Sequence, residues 1–178
     1  MKKLTPPSLF GSGLLLRPII DDDIHNIFKG LSHPDIIKYY GVSFNSLEAT
    51  QEQMDWYKEL VLKESGIWFA ICSLDNNNFL GAIGLSSLDK KSRKAELGFW
   101  LFPEFWGQGI MAKAVPILLH YGFNTLSLHR IEAFVETENQ NCKTIMKKLE
   151  FQCEGTIIDC EIKDGKFISL EIYSKIKL

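Results

Sequence analysis

The chain is predicted to fold as a single α+β (mixed α/β) domain, residues 1–178, and three observations predict it. Its 178 residues are near the common size of one domain. Hydrophobic residues at 46% and charged residues at 24% match a buried core under a solvated surface, which excludes disordered, collagenous and disulfide-stapled classes. Strand and helix periodicities alternate in the order β-α-α-β-β-β-α-β-α-β-β with no linker or repeat between them.

The first strand is read over residues 14–20, an apolar run broken by Arg17 and Pro18. Asp21, Asp22 and Asp23 then supply capping acids for a helix whose apolar face is Ile24, Ile27, Phe28 and Leu31, spaced i, i+3, i+4, i+7. A second helix is predicted over 45–64: Asn45 with Glu48 forms a capping-box pattern, Met54, Tyr57 and Val61 share a face, and Gly66 ends it. Strands follow at 67–73, 79–86 and 94–101, the first two joined by the polar turn 75–78, so a meander is expected. After Pro103 a glycine-containing loop leads into an apolar-periodic helix over 108–123, and 130–136 returns as a strand. A strand, loop, helix, strand order implies a crossover and a locally parallel pair. Pro116 inside that helix removes the bond to the Ala112 carbonyl, so a kink or local widening is expected there. A short helix at 141–149 and strands at 152–160 and 167–174, around the turn Lys163-Asp164-Gly165-Lys166, complete the chain.

Charge and composition narrow the function. The 20 Lys+Arg against 22 Asp+Glu leave a net charge of −2, which lacks the basic excess of a nucleic-acid binder, so no direct nucleic-acid partner is expected. No apolar run approaches the roughly 18 residues of a membrane span. Lys2 and Lys3 resemble a signal-peptide start, but Pro6, Pro7, Gly11 and Gly13 interrupt the apolar stretch that should follow, and a cytoplasmic location is expected. Cys72, Cys142, Cys153 and Cys160 form no CxxC pair and have no histidine at ligand spacing, so free thiols and no metal are expected.

The most informative segment is 102–114, Phe-Pro-Glu-Phe-Trp-Gly-Gln-Gly-Ile-Met-Ala-Lys-Ala, which sets a Gly-x-Gly turn between a strand and a helix start. Glycine lets the backbone approach a ligand, and the unpaired N–H groups of a helix start attract anions, so a phosphate is expected at 108–112. The Rossmann and Walker patterns are both absent, and a purely structural tight turn accounts for the same residues.

Several blocks together carry a resemblance: Ala95-Glu96-Leu97-Gly98-Phe99-Trp100-Leu101, Trp106-Gly107-Gln108-Gly109-Ile110-Met111, His129-Arg130-Ile131-Glu132-Ala133, Asn139 with Cys142, and Phe151 with Glu154-Gly155. In this order and spacing the chain resembles the GNAT superfamily of acetyl-CoA-dependent N-acetyltransferases, and within it the RimJ/RimL branch that acetylates the N-terminal amines of ribosomal proteins. The resemblance implies a GNAT fold: a central, mostly antiparallel twisted sheet with a parallel, splayed strand pair and about four flanking helices. It implies acetyl-CoA as co-substrate, with Phe99, Trp100 and Leu101 pairing their backbone with the pantetheine arm. Trp106, Gly107, Gln108, Gly109, Ile110, Met111 and Ala112 would form the pyrophosphate loop, and Asn139 would bond the pantetheine or fix the splayed strands. Trp106 and Met111 depart from the superfamily's Gln/Arg-x-x-Gly-x-Gly/Ala pattern in the manner usual for the branch.

Acetyl transfer to an amine needs a base, because an α-amine with pKa near 8 and a lysine amine near 10.4 are both largely protonated at pH 7. It also needs an oxyanion donor and an acid for the departing thiolate. The resemblance places Cys142 where a serine is proposed to protonate that thiolate, and Glu161 where a glutamate is proposed as base. Cys142, Ile145, Met146 and Leu149 also fall at i, i+3, i+4, i+7, so a core thiol fits equally. Glu161 could equally be a solvated strand-end carboxylate, and Glu96, sharing a strand face with Gly98 and Trp100, is the second candidate base. Glu132 and Glu136 share one face of the following strand and read as structural or partner-facing. Trp56, Tyr57, Asp55, Asp35 and Tyr39 offer aromatic and acidic surface for a cationic amine. Ser169 stands where the branch commonly has an aspartate, which loosens the substrate assignment. The acceptor amine is expected at a protein N-terminus, with a polyamine, an aminoglycoside or a non-catalytic CoA sensor as alternatives. Dimers are frequent in the family, so a homodimer using the final hairpin is also an expectation.

Overall fold

The computed structural model describes residues 6–75 and 77–177, and eight strands among them form one sheet. In chain order these are β1 (Leu9–Gly11), β2 (Leu14–Pro18), β3 (Ile67–Ser73), β4 (Phe79–Asp89), β5 (Lys94–Leu101), β6 (Arg130–Glu136), β7 (Gln152–Lys163) and β8 (Lys166–Ile176). They lie side by side as β1-β2-β3-β4-β5-β6-β8-β7, every neighbouring pair antiparallel except β5–β6. That parallel pair is the one the crossover demands. Lys2 and Lys3, and Asn76 in the turn before β4, lie outside the described residues.

Five α-helices among the described residues cover the sheet: α1 (Ile24–Leu31), α2 (Pro34–Ile37), α3 (Leu47–Leu62), α4 (Ile110–His120) and α5 (Gln140–Lys148). The sequence shows about four because α2 is a single turn, too short for a visible period, begun by Pro34 at its first position behind His33. β1 is likewise too short at three residues. The cap of α3 is Ser46, not Asn45: its Oγ accepts from the Ala49 N–H at 3.0 Å.

Alternation along β5 and β6 splits the core into two layers. Ala95, Leu97 and Leu101 face Ile131, Ala133 and Val135 in a core closed by α4 and by Met146 of α5. Trp100, on the other face, joins Ile27, Leu31, Met54, Tyr57 and Leu60 of α1 and α3. Gly30 admits that indole, since a Cβ there would meet the Trp100 ring at 2.3 Å. Asp23, buried, receives both Arg17 guanidinium nitrogens at 2.7 Å and the Ile20 N–H at 2.9 Å, which ties β2 to the start of α1.

Pro116 does not widen the helix where expected. α4 runs continuously through it, and the widened turn comes after it, at Tyr121–Thr125, where the Leu126 N–H reaches back to the Tyr121 carbonyl at 3.1 Å. Pro116 is exposed, and a fixed φ near −65° suits a helix. The widened turn instead places Gly122 against Ile131, whose Cδ1 would lie 2.9 Å from an added Cβ.

Candidate active site

β5 and β6 pair over only three rungs, Lys94 with Arg130, Ala95 with Ile131 and Glu96 with Glu132, and then part. The Phe102 N–H donates to Leu80 of β4 at 3.0 Å, and strand alternation therefore turns the backbone of Trp100, Gly98 and Glu96 toward β4. Phe99 and Leu101 consequently point their backbone groups into the fork. Trp100 does not: its backbone pairs with Ala82 and its side chain is core. The Leu101 carbonyl accepts the Trp106 indole N–H at 2.9 Å, which anchors the following loop to the end of β5.

In that loop Gly107 and Gly109 have φ of 74° and 73°, and a Cβ at either would meet nothing within 4 Å. Backbone conformation, not space, selects glycine. Gly109 is the N-cap of α4, so no side chain closes the helix start, and the N–H groups of Ile110, Met111 and Ala112 lack intrahelical acceptors. The Gln108 side chain is turned back to the Glu104 carbonyl at 2.8 Å. An uncapped helix start beside an unpaired strand edge fits an anionic group followed by an extended amide-bearing arm.

Opposite faces of the fork open into a cleft of about 790 Å³, lined by Glu96, Glu136, Trp68, Phe134, Asn139 and Cys142 among others. Glu96 lines it from the last rung that pairs β5 with β6. Burial pushes the Glu96 carboxyl above its ordinary pKa, and the Glu132 carboxylate and Glu161 push it further, against relief from Ser87 Oγ at 3.5 Å. Burial would raise Glu132 as well, but Arg130 at 2.8 Å and Lys94 at 3.2 Å hold it below its ordinary value. Tyr40, also lining the cleft, has its hydroxyl pKa pushed well up by burial and by Tyr57 and Glu96. Below them Tyr57 Oη and Trp68 Nε1 are buried, with no well-formed hydrogen bond among the described residues.

The other expected residues fall in different places. Asn139 caps α5, its Oδ1 accepting the Cys142 N–H at 3.1 Å, and it also lines the cleft. Cys142 packs against the core beside Ile145 and Leu149, and it also lines the cleft. Burial pushes its thiol pKa up to about 12, so it stays protonated at neutral pH. Glu161 lies on the edge strand β7 opposite Ile168, exposed and outside the cleft lining. Asp55 and Asp35 are exposed, Trp56 and Tyr39 line the cleft, and the buried Tyr57 packs against Trp56 and Trp68. Nothing in local spacing marks Tyr40, which lines the cleft, or Ser87, which faces Glu96.

Comparison with known proteins gives a consistent picture. A family model for the acetyltransferase (GNAT) domain matches residues 13–152. The uncharacterized N-acetyltransferase YoaA of Bacillus subtilis is 31% identical over 172 residues, covering 96% of this chain and 97% of the relative. Among solved structures, the RimL ribosomal L7/L12 alpha-N-protein acetyltransferase in complex with coenzyme A superposes with a TM-score of 0.86 at 19% identity, covering 96% of this chain and 98% of the other. The spermidine N-acetyltransferase of Vibrio cholerae, in complex with CoA and spermine, superposes with a TM-score of 0.84 at 22% identity, over 93% and 96% of the two chains.

Proposed function

Because this chain belongs to the acetyltransferase (GNAT) family and is an acetyl-CoA-dependent N-acetyltransferase, we propose that it acetylates the α-amino group of a protein N-terminus, with Glu96 taking the proton of the incoming amine. The observation that carries the base role is Glu96 at the apex of the β5–β6 fork, half-buried, with its pKa raised by that burial and by the neighbouring Glu132. Acetyl-CoA supplies the acyl group as an activated thioester. Phe99, and Leu101 through its N–H, would offer backbone groups to its amide-bearing arm, and the N–H groups of Ile110, Met111 and Ala112 would hold its phosphates.

Cys142 serves as a hydrogen-bond donor to the leaving sulfur. With a pKa near 12 against about 8.5 for an ordinary thiol, full proton transfer from it is uphill by several powers of ten, so its contribution is the S–H dipole. Glu161 acts at a distance by adding negative charge that keeps Glu96 basic.

A second acceptor class, polyamines, draws support from the cleft's own lining, where Glu52 and Glu96 lie among aromatic rings. Release of CoA thiol in the presence of an N-terminal alanine peptide, spermidine and an aminoglycoside separates the classes. Release with the peptide above the other two supports N-terminal acetylation, and release with spermidine alone overturns it.

A further inference from the structure

The turn Lys163-Asp164-Gly165-Lys166 has Asp164 and Gly165 at φ of 51° and 74°, the two left-handed residues of a tight hairpin, and this fixes Lys163 opposite Lys166. From there the Lys163 side chain crosses to the cleft. Its Nζ meets Glu136 Oε1 at 2.5 Å, donates to the Lys38 carbonyl at the end of α2, and lies 5.9 Å from the centroid of the Tyr39 ring. The Tyr39 ring also carries Lys38 Nζ at 5.0 Å. Both partners of the ion pair are largely sheltered, Lys163 at 23% and Glu136 at 15% side-chain exposure.

A carboxylate, a carbonyl and an aromatic ring are the groups that hold an alkylammonium ion. Glu136 and Tyr39 both line the acceptor cleft, so this corner belongs to the cleft and already contains a cation of the protein's own. Glu136 lies four residues beyond Glu132 on the same face of β6, a span of about 13 Å from the rung that holds Glu96. An extended polyamine whose reacting nitrogen sits at Glu96 would send its distal ammonium toward this corner. Glu132 is neutralised by Lys94 and Arg130, and Glu52 is exposed on α3.

We infer that Lys163 fills an ammonium-binding corner of the cleft with its own side chain and so selects acceptors bearing one positive charge, such as a protein N-terminus, against polyamines. This rests on the acceptor entering the cleft described above. A built-in cation removes the attraction for a second ammonium and adds like-charge repulsion against it.

The test uses the full chain as wild type, Lys163→Met, Lys163→Gln, Lys163→Arg and the double variant Lys163→Met with Glu136→Gln. Two quantities are read: the ratio of kcat/KM for spermidine to that for an N-terminal alanine peptide, and the calorimetric affinity for spermidine of the CoA complex. Lys163→Met and Lys163→Gln should each raise both by about tenfold, the size of one charge-assisted hydrogen bond between spermidine and Glu136. Lys163→Arg should keep the wild-type ratio, and the double variant should lose the gain. A change of less than about twofold in both neutral variants, or a gain that survives Glu136→Gln, overturns the inference and leaves N-terminal acetylation standing. If no variant turns over any amine, yet spermidine affinity rises with Lys163→Met and falls again in the double variant, the corner stands and the N-terminal assignment falls.

Discussion

Glu96 and Glu132 stand directly opposite one another on the last rung that joins β5 to β6, and Lys94 and Arg130 both reach Glu132. The fork thus begins at a pair of carboxylates of unequal fate, one held ionised by two cations and one held in a half-buried site with its pKa raised. Burial and the Glu132 charge raise one carboxyl while two cations lower the other, so the two differ in acidity.

Glu96→Gln should lower kcat by about 10²- to 10⁴-fold while acetyl-CoA affinity stays near wild type. The wild-type profile of kcat/KM should show its acid limb above the usual carboxylate range. Stability moves the opposite way. A carboxyl whose folded pKa is raised contributes stability below its unfolded value of about 4.3 and loses it as pH rises through the folded value. Glu96→Gln should therefore melt higher than wild type at pH 7.5, with the gap closing near pH 4. Turnover within threefold of wild type would return the base role to Glu161.

Gly109→Ala places a β-carbon on a residue at φ 73°, where open space cannot relieve the backbone. The cost should be about 1 to 2 kcal/mol of stability, with Gly109→Asn milder. Titration calorimetry should show weakened acetyl-CoA binding in the alanine variant, because relaxing φ re-aims the N–H groups at the start of α4. Undiminished affinity would remove the loop from the binding site.

Gly84 lies under Trp68, and a Cβ there would sit 2.3 Å from the indole. Gly84→Ala should cost about 1 to 3 kcal/mol through overpacking. Trp68 lines the cleft, so the displaced ring should also raise KM for the amine more than KM for acetyl-CoA. Equal KM values for the amine in variant and wild type would show that the indole holds its place.

Arg130 grips Glu154 through two contacts of 2.7 Å and Glu132 through one of 2.8 Å. The guanidinium, aided by Ser174, holds the Glu154 carboxyl down to about 2. A depressed carboxyl contributes stability above its unfolded pKa of about 4.3 and loses it as pH falls toward 2. Arg130→Met should flatten the decline of Tm across that window, and an unchanged slope would assign acid sensitivity elsewhere.

Asn139→Ala removes the oxygen that caps α5. A loss of about 1 kcal/mol, or about 2 to 4 °C in Tm, is expected. A larger fall in turnover than in stability would show the amide acting in the cleft as well.

The glycine turn before α4, the strands at 67–73, 94–101 and 130–136, and the parallel crossover are all legible in the chain, because residues a few positions apart impose their periods and dihedral needs locally. The family motif follows from the same local order. The roles within the fork are not local. Glu96 becomes the group at the apex only when β6 brings Glu132 beside it, 36 positions later, and Glu161 recedes to an exposed edge only because β8 inserts between β6 and β7. Lys163 meets the Lys38 carbonyl across 125 residues. Periodicity reports which face a side chain takes; which charge shares that face, and how much water lies between them, is set by the packing of distant strands, and acidity follows from those two quantities.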